Sequence, residues 1–199
     1  MDKAKLYLSH TDEGIELTRE EYAEADTEEP WRFERANGRL VVMTPAGLEH
    51  HETVEPFRNH LGAYKIAHPE IVEHVFQEAW TAVEDDADRL PDIAVYLTGG
   101  TGRLPDRVPD LIFEIVSQGS KDRRRDYEEK RSEYERIAVQ EYVIVDRFDH
   151  RLTVLRLEEA TFVETVLQPS DRYSTPLLPG LEIPLSGIIC ISLSLLPGY

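Results

Sequence analysis

The sequence predicts a mixed α+β fold in which helices pack on a mixed sheet, and three patterns carry that reading. Short apolar runs of strand length recur through the chain, rich in β-branched residues: Ile93 to Leu97, Leu111 to Val116, Tyr142 to Asp146, Leu152 to Leu157 and Phe162 to Leu167. Asn37-Gly38, flanked by two alternating segments, is a strong hairpin signal. Two longer segments, 49–67 and 123–138, place apolar residues at helical rather than strand spacing.

The elements follow in order. Thr18-Arg-Glu-Glu21 is a capping box that opens a short helix through about Ala25, and the acidic stretch before Pro30 ends it. Trp31-Arg-Phe-Glu-Arg-Ala and Arg39-Leu-Val-Val-Met-Thr then form an N-terminal antiparallel β-hairpin. In 49–67 the stripe is Val54, Phe57, Leu61, Tyr64 and Ile66, with Pro56 limiting regularity in the first turns. A strand is expected from Ile71 to Val83, followed by the runs above. The helix at 123–138 presents Tyr127, Tyr134, Ile137 and Ala138. The Gly- and Thr-rich loop from Thr98 to Pro105 reads as a surface connection or a lid.

A chain of 199 residues is expected to form one domain over 1–199, because halving it would leave each part near the lower limit for a stable core. Hydrophobic content of 41% with 31% charged residues is a globular balance. The longest uncharged run, Ile183 to Tyr199, is interrupted by Pro184, Gly187, Pro197 and Gly198, so no membrane span is expected. No secretory signal follows Met1, and the single cysteine, Cys190, has no internal disulfide partner; the expected location is cytoplasmic. The apolar segment Ile188 to Leu196 either completes the core or pairs two copies as a homodimer.

The net charge of -17 opposes binding to a polyanion, since phosphate contacts supply most non-specific affinity. Its distribution is uneven. Acids crowd 12–34, whereas Lys121, Arg123, Arg124, Arg125, Lys130, Arg131 and Arg136 cluster between 121 and 136. Lys121, Arg123, Arg124 and Arg125 are the candidate nucleic-acid contacts; the plainer reading is a solvated helix with i,i+4 pairs such as Asp126 with Lys130.

Two acids stand where apolar strands should carry none. Asp92 follows Pro91 at the mouth of one strand, and Glu114 sits among Leu111, Ile112, Phe113, Ile115 and Val116 in the next. A desolvated carboxylate needs a partner, and a divalent cation can serve two at once. Magnesium or manganese takes hard oxygen ligands and keeps positions for water and phosphate, so Asp92, Glu114 and the backbone carbonyl of Ile115 form a candidate ligand set. Lys130 is the candidate ammonium that orients the attacking water. Asp110 lies on the same strand face as Glu114 but roughly 13 Å along it, too far to share one ion, and remains a secondary candidate. A Pro-Asp pair before a strand is also an ordinary turn device, and Glu114 has the plain alternative of a solvent-facing edge. Adjacent His50 and His51 point in different directions and make a poor zinc pair. There is no Gly-rich phosphate loop, nucleophile elbow or dinucleotide fingerprint.

These residues resemble a known family. From Glu20-Glu-Tyr22 through Phe33-Glu34, Asn37-Gly-Arg-Leu-Val-Val-Met-Thr-Pro45, His50, Leu90-Pro-Asp92, Val108-Pro-Asp-Leu-Ile-Phe-Glu-Ile-Val-Ser117, Arg125-Asp126, Glu129-Lys130, Tyr134, Glu141-Tyr-Val-Ile-Val-Asp146 and Leu177-Leu-Pro-Gly-Leu181, the chain is similar to the bacterial restriction-endonuclease-like proteins of the PD-(D/E)xK nuclease superfamily. The match covers roughly residues 18 to 187. It implies a restriction-endonuclease-like fold, a mixed central sheet flanked by helices, with Asp92 and Glu114 as metal ligands. The superfamily pattern puts lysine two residues after the glutamate, where this chain has Val116; the resemblance supplies it from the following helix as Lys130. Glu34 and His50 also match family positions. The implied activity is Mg2+- or Mn2+-dependent hydrolysis of DNA by water attack, with a catalytically weak or inactive interaction module as the alternative that the acidic charge favours.

Overall fold

The structure, a computed structural model, describes residues 5–119 and 123–189. In chain order the elements are β1 (Tyr7–Leu8), α1 (Arg19–Glu24), β2 (Asp26–Thr27), β3 (Arg32–Ala36), β4 (Arg39–Met43), α2 (Leu48–Ala67), β5 (Val72–Phe76), β6 (Thr81–Glu84), β7 (Ala87–Arg89), β8 (Ile93–Leu97) and β9 (Leu111–Ile115). A π-helical turn (Arg125–Lys130) runs into α3 (Arg131–Arg136), followed by β10 (Glu141–Asp146), β11 (Arg151–Glu158), β12 (Thr161–Leu167), β13 (Arg172–Tyr173) and β14 (Ile183–Pro184).

Six strands form the large sheet in the order β12-β11-β10-β9-β8-β5. Its central pair, β9 and β10, is parallel, and the remaining neighbours are antiparallel. Every residue of both central strands is buried, which is what their near-continuous apolar sequences require. Alternation divides β9 between two cores. Leu111, Phe113 and Ile115 pack with Val54, Phe57 and Leu61 of α2, while Ile112 and the following Val116 pack with Tyr134, Tyr142 and Leu155. Glu114 therefore shares the face covered by α3 and the π-helical turn.

The predicted capping box is present: Thr18 accepts from the Glu21 amide at 3.1 Å and Glu21 accepts from the Thr18 amide at 3.0 Å. At the hairpin, Asn37 and Gly38 both have positive φ, 50° and 70°, as a two-residue turn matched to strand twist demands. The hairpin does not join the large sheet, however. It builds a second, four-stranded sheet in the order β4-β3-β7-β6.

The strand expected from Ile71 to Val83 is two strands in different sheets. Glu78, at a φ of 49°, breaks the run, and the chain leaves the large sheet after Phe76 to enter the small one at Thr81. It returns through Leu90-Pro91-Asp92, between β7 and β8, and the Glu78 amide bonds the Pro91 carbonyl at 3.0 Å, tying the two crossings together. β7 escapes pattern reading because Asp88 and Arg89 are polar. Both are buried nonetheless, Asp88 against Arg35 at 2.7 Å and Arg19 at 3.1 Å.

Among the described residues no helix is long and apolar enough to cross a membrane. Of the apolar segment 188–196, Ile188 and Ile189 are buried in the core beneath α2; the remainder, with Cys190, lies outside the described residues, as does Lys121.

Candidate active site

Asp92 and Glu114 meet because of strand register. Ile93 pairs with Phe113 in the antiparallel β8–β9 ladder, so extending the ladder by one pair sets residue 92 opposite residue 114. Directly opposed side chains lie on one face, close enough to act together. Asp92 is also fixed to the neighbouring strand, since its Oδ2 accepts from the Ile115 amide at 2.7 Å while Oδ1 meets Nε2 of His50 at 2.9 Å. Both carboxylates line one cavity of about 210 Å³, with His50, Asp126, Lys130 and Arg125 in its wall.

Lys130 reaches this cavity from the π-helical turn. Its Nζ donates to Glu114 Oε1 at 2.7 Å and lies 3.2 Å from Glu34 Oε1 and 3.8 Å from Asp126. An extra residue per turn re-aims side chains relative to an α-helix, and such turns recur at functional sites. Here Asp126 and Lys130 are both turned inward, 3% and 2% exposed, so the solvated i,i+4 pair expected from sequence is instead a buried one.

Glu34, on β3 of the small sheet, ties the two sheets at this point. One oxygen accepts from the Leu90 amide at 3.1 Å and faces Lys130; the other accepts from Arg89 at 3.0 Å. Arg89 is in turn held by Glu133 of α3 through two bonds of 2.8 and 2.6 Å. Tyr134 completes the set, its hydroxyl donating to Glu114 Oε1 at 3.0 Å. Both donors to Glu114 arrive at Oε1, and Oε2 accepts from no described side chain.

The electrostatics follow from crowding. Burial would raise Glu34, but the charges of Lys130, Arg89 and Arg125 overcome it and hold the carboxyl down to about 2. For Glu114 burial wins: opposed by Lys130 but reinforced by Asp92 and Asp126, it pushes the carboxyl up to about 8. Burial likewise pushes Asp126 up to about 6 against Lys130 and Arg125. Lys130 stays protonated, because Glu114, Glu34 and Asp126 outweigh its own desolvation.

Other expected residues lie elsewhere. Asp110 does not line the cavity; it accepts from the Leu97 amide at 2.8 Å and from Gln140 at 2.6 Å, and braces the opposite end of β9. The expected basic strip does not form one open face. Arg123 is paired with Asp146 at 2.6 Å and with Asp149, Arg124 is exposed beside Glu128 and Glu129, and Arg125 lines the cavity. Sequence reasoning missed Arg89, Glu133 and the cavity-facing role of Asp126. Their signal was present only as polar residues inside otherwise patterned elements.

Two opposed carboxylates with a free oxygen suit a hard divalent cation. Among the described residues no group of three or more His, Cys, Asp or Glu side chains is placed to hold a metal ion, and magnesium characteristically takes few protein ligands and keeps its waters. Ile115 lines the same cavity as the two acids.

No curated protein matches this sequence. A solved structure does match: a "putative nuclease belonging to DUF820" from Anabaena variabilis ATCC 29413 superposes with a TM-score of 0.71 at 16% identity, over 87% of this chain and 97% of that one. At that identity the likeness concerns the fold, which is restriction-endonuclease-like. Residues 19–186 match the Uma2 family, described as "Putative restriction endonuclease". The chain is a member of that family.

Proposed function

We propose that the protein is a divalent-metal-dependent endonuclease that hydrolyses DNA phosphodiester bonds by direct attack of water. The observation that carries this reading is the meeting of Asp92, Glu114 and Lys130 at one cavity. Asp92 and Glu114, with the Ile115 carbonyl, would hold Mg2+ or Mn2+. When bound, such an ion polarises a phosphoryl oxygen and lowers the pKa of water.

The chain's own groups have separable tasks. The Ile115 amide and His50 fix the orientation of the Asp92 carboxylate. Tyr134 and Lys130 hold Glu114 through one oxygen and leave the other without a side-chain donor among the described residues. Lys130, kept protonated by its acids, stabilises negative charge as it develops on phosphorus. Glu34 positions Lys130 and, through the Leu90 amide, the approach to Asp92. Arg125 in the cavity wall adds positive charge for an incoming phosphate.

The test is cleavage of supercoiled plasmid with manganese. Wild type is expected to nick it, and Lys130→Ala to lose roughly 10²–10³-fold in rate, the usual loss when one charge-stabilising donor is removed. Unchanged cleavage by Lys130→Ala removes the assigned role, and no cleavage by wild type with either metal favours the interaction-module alternative.

A further inference from the structure

Strand β3 has two sides, and only one has been used. Arg32 and Glu34 face the catalytic cavity and its Lys130, so by strand alternation Phe33, with Trp31 just before the strand, turns away from it. On that other side lies a second cavity of about 230 Å³, walled by Trp31, Phe33, Tyr22, Trp80, Thr27 and Leu90. Leu90 belongs to both cavities, so a single strand and one side chain separate them.

Both tryptophans of the chain stand in this wall. Trp31 is held from one side by His10, stacked at 4.9 Å and 15°. Trp80, set in the crossing between β5 and β6, meets Tyr22 edge-on at 6.2 Å, and Tyr22 is itself fixed by its hydroxyl bond to the Phe33 carbonyl at 2.5 Å. The indole Nε1 of Trp80 is buried and has no hydrogen-bond partner among the described residues.

We infer that this aromatic pocket binds an unstacked nucleobase of the nucleic acid whose backbone lies at Asp92 and Glu114. The inference rests on the proposed nuclease reading for the identity of the polymer. A base is flat, aromatic and uncharged, so it suits rigid indole and phenol walls. Neutrality matters in a chain of net charge -17, which disfavours a second phosphate site but not a base. Proximity matters as well, because a nucleotide held across the β3 partition keeps its phosphate near the catalytic cavity.

Because the chain's two tryptophans both line the pocket, intrinsic indole fluorescence reads its occupancy. Wild-type protein is titrated with a single-stranded oligodeoxynucleotide in excess EDTA, so that no cleavage intervenes, and in parallel with an abasic oligomer of equal length. The expected result is saturable quenching by the base-bearing strand alone. Trp31→Ala, read through Trp80, should raise the dissociation constant by about tenfold or more, the size expected for one lost stacking partner. Trp80→Phe keeps an aromatic wall with a smaller stacking face, and should weaken binding to a smaller degree. Equal quenching by the abasic strand, or no quenching at all, overturns the pocket whatever the fate of the variants. Plasmid cleavage without base-dependent quenching sinks this inference alone; base-dependent quenching without cleavage sinks the nuclease reading alone.

Discussion

Two carboxylates are buried in neighbouring strands of the large sheet, Glu141 at the start of β10 and Glu114 near the end of β9, and their surroundings differ in kind. Glu141 is fully served. Tyr173 donates to one oxygen at 2.5 Å, and Thr175 and Arg156 donate to the other at 2.9 and 2.7 Å. Glu114 takes both its donors, Tyr134 and a lysine shared with Glu34 and Asp126, on one oxygen, faces Asp92, and lines a cavity. One acid closes the structure and the other opens it to a ligand. Burial of a charge is therefore not in itself a functional signal; the signal is burial combined with too few partners.

The sharpest way to break that comparison is to remove each acid. Glu141→Ala should destabilise the protein by roughly 2–4 kcal/mol, since it strands two buried hydroxyls and a half-buried guanidinium, and should leave the response to metal unchanged. Chemical denaturation measures the first effect and a metal titration the second. Loss of the metal response in this variant would mean that the two ends of the sheet are not independent.

A pH experiment tests how well Glu114 is served where it sits. Glu114 has its folded pKa raised from 4.5 to about 8, so the folded state holds a proton that the unfolded chain has released. Its contribution to stability is present below 4.5 and lost as pH rises toward 8. Metal-free protein should therefore melt at falling temperature across that window, and Glu114→Gln should flatten the slope. Glu34 runs the other way: lowered to about 2, it stabilises above 4.5, and the benefit is lost as pH falls through 2. A metal-free melting temperature that climbs from pH 4.5 to 8 would mean Glu114 is as well satisfied as Glu141.

The smallest effect is predicted outside both regions. Arg124 is exposed beside Glu128 and Glu129, so Arg124→Ala should shift stability by no more than about 0.5 kcal/mol. Its binding effect is correspondingly a salt-dependent weakening toward any strand sequence, read by repeating the oligonucleotide titration at several ionic strengths.

Much of the fold was legible because local chemistry and global structure agree. The Asn37-Gly38 turn, the Thr18 capping box and the Val54, Phe57, Leu61 and Tyr64 stripe along α2 each depend on residues within a few positions of one another, whereas Ile66, expected in that stripe, lies exposed at the helix end. Glu114 was legible for a related reason, as an acid set among five apolar neighbours. The split at Glu78 and the strand β7 were not, since a backbone at positive φ and a buried Asp88 matched to Arg35 are decided by distant partners. Asp126 was hidden as well. At helical spacing it reads as the surface partner of Lys130, and sequence spacing alone does not say which face of the pair turns inward.

The central claim, that residues 92 and 114 hold one cation between them, has a direct measurement: thermal denaturation of wild type, Asp92→Ala and Glu114→Ala with and without manganese. At about a hundredfold excess over the dissociation constant, wild type should gain on the order of 5–10 °C, and neither variant should gain measurably. Equal gains in all three proteins would contradict the claim.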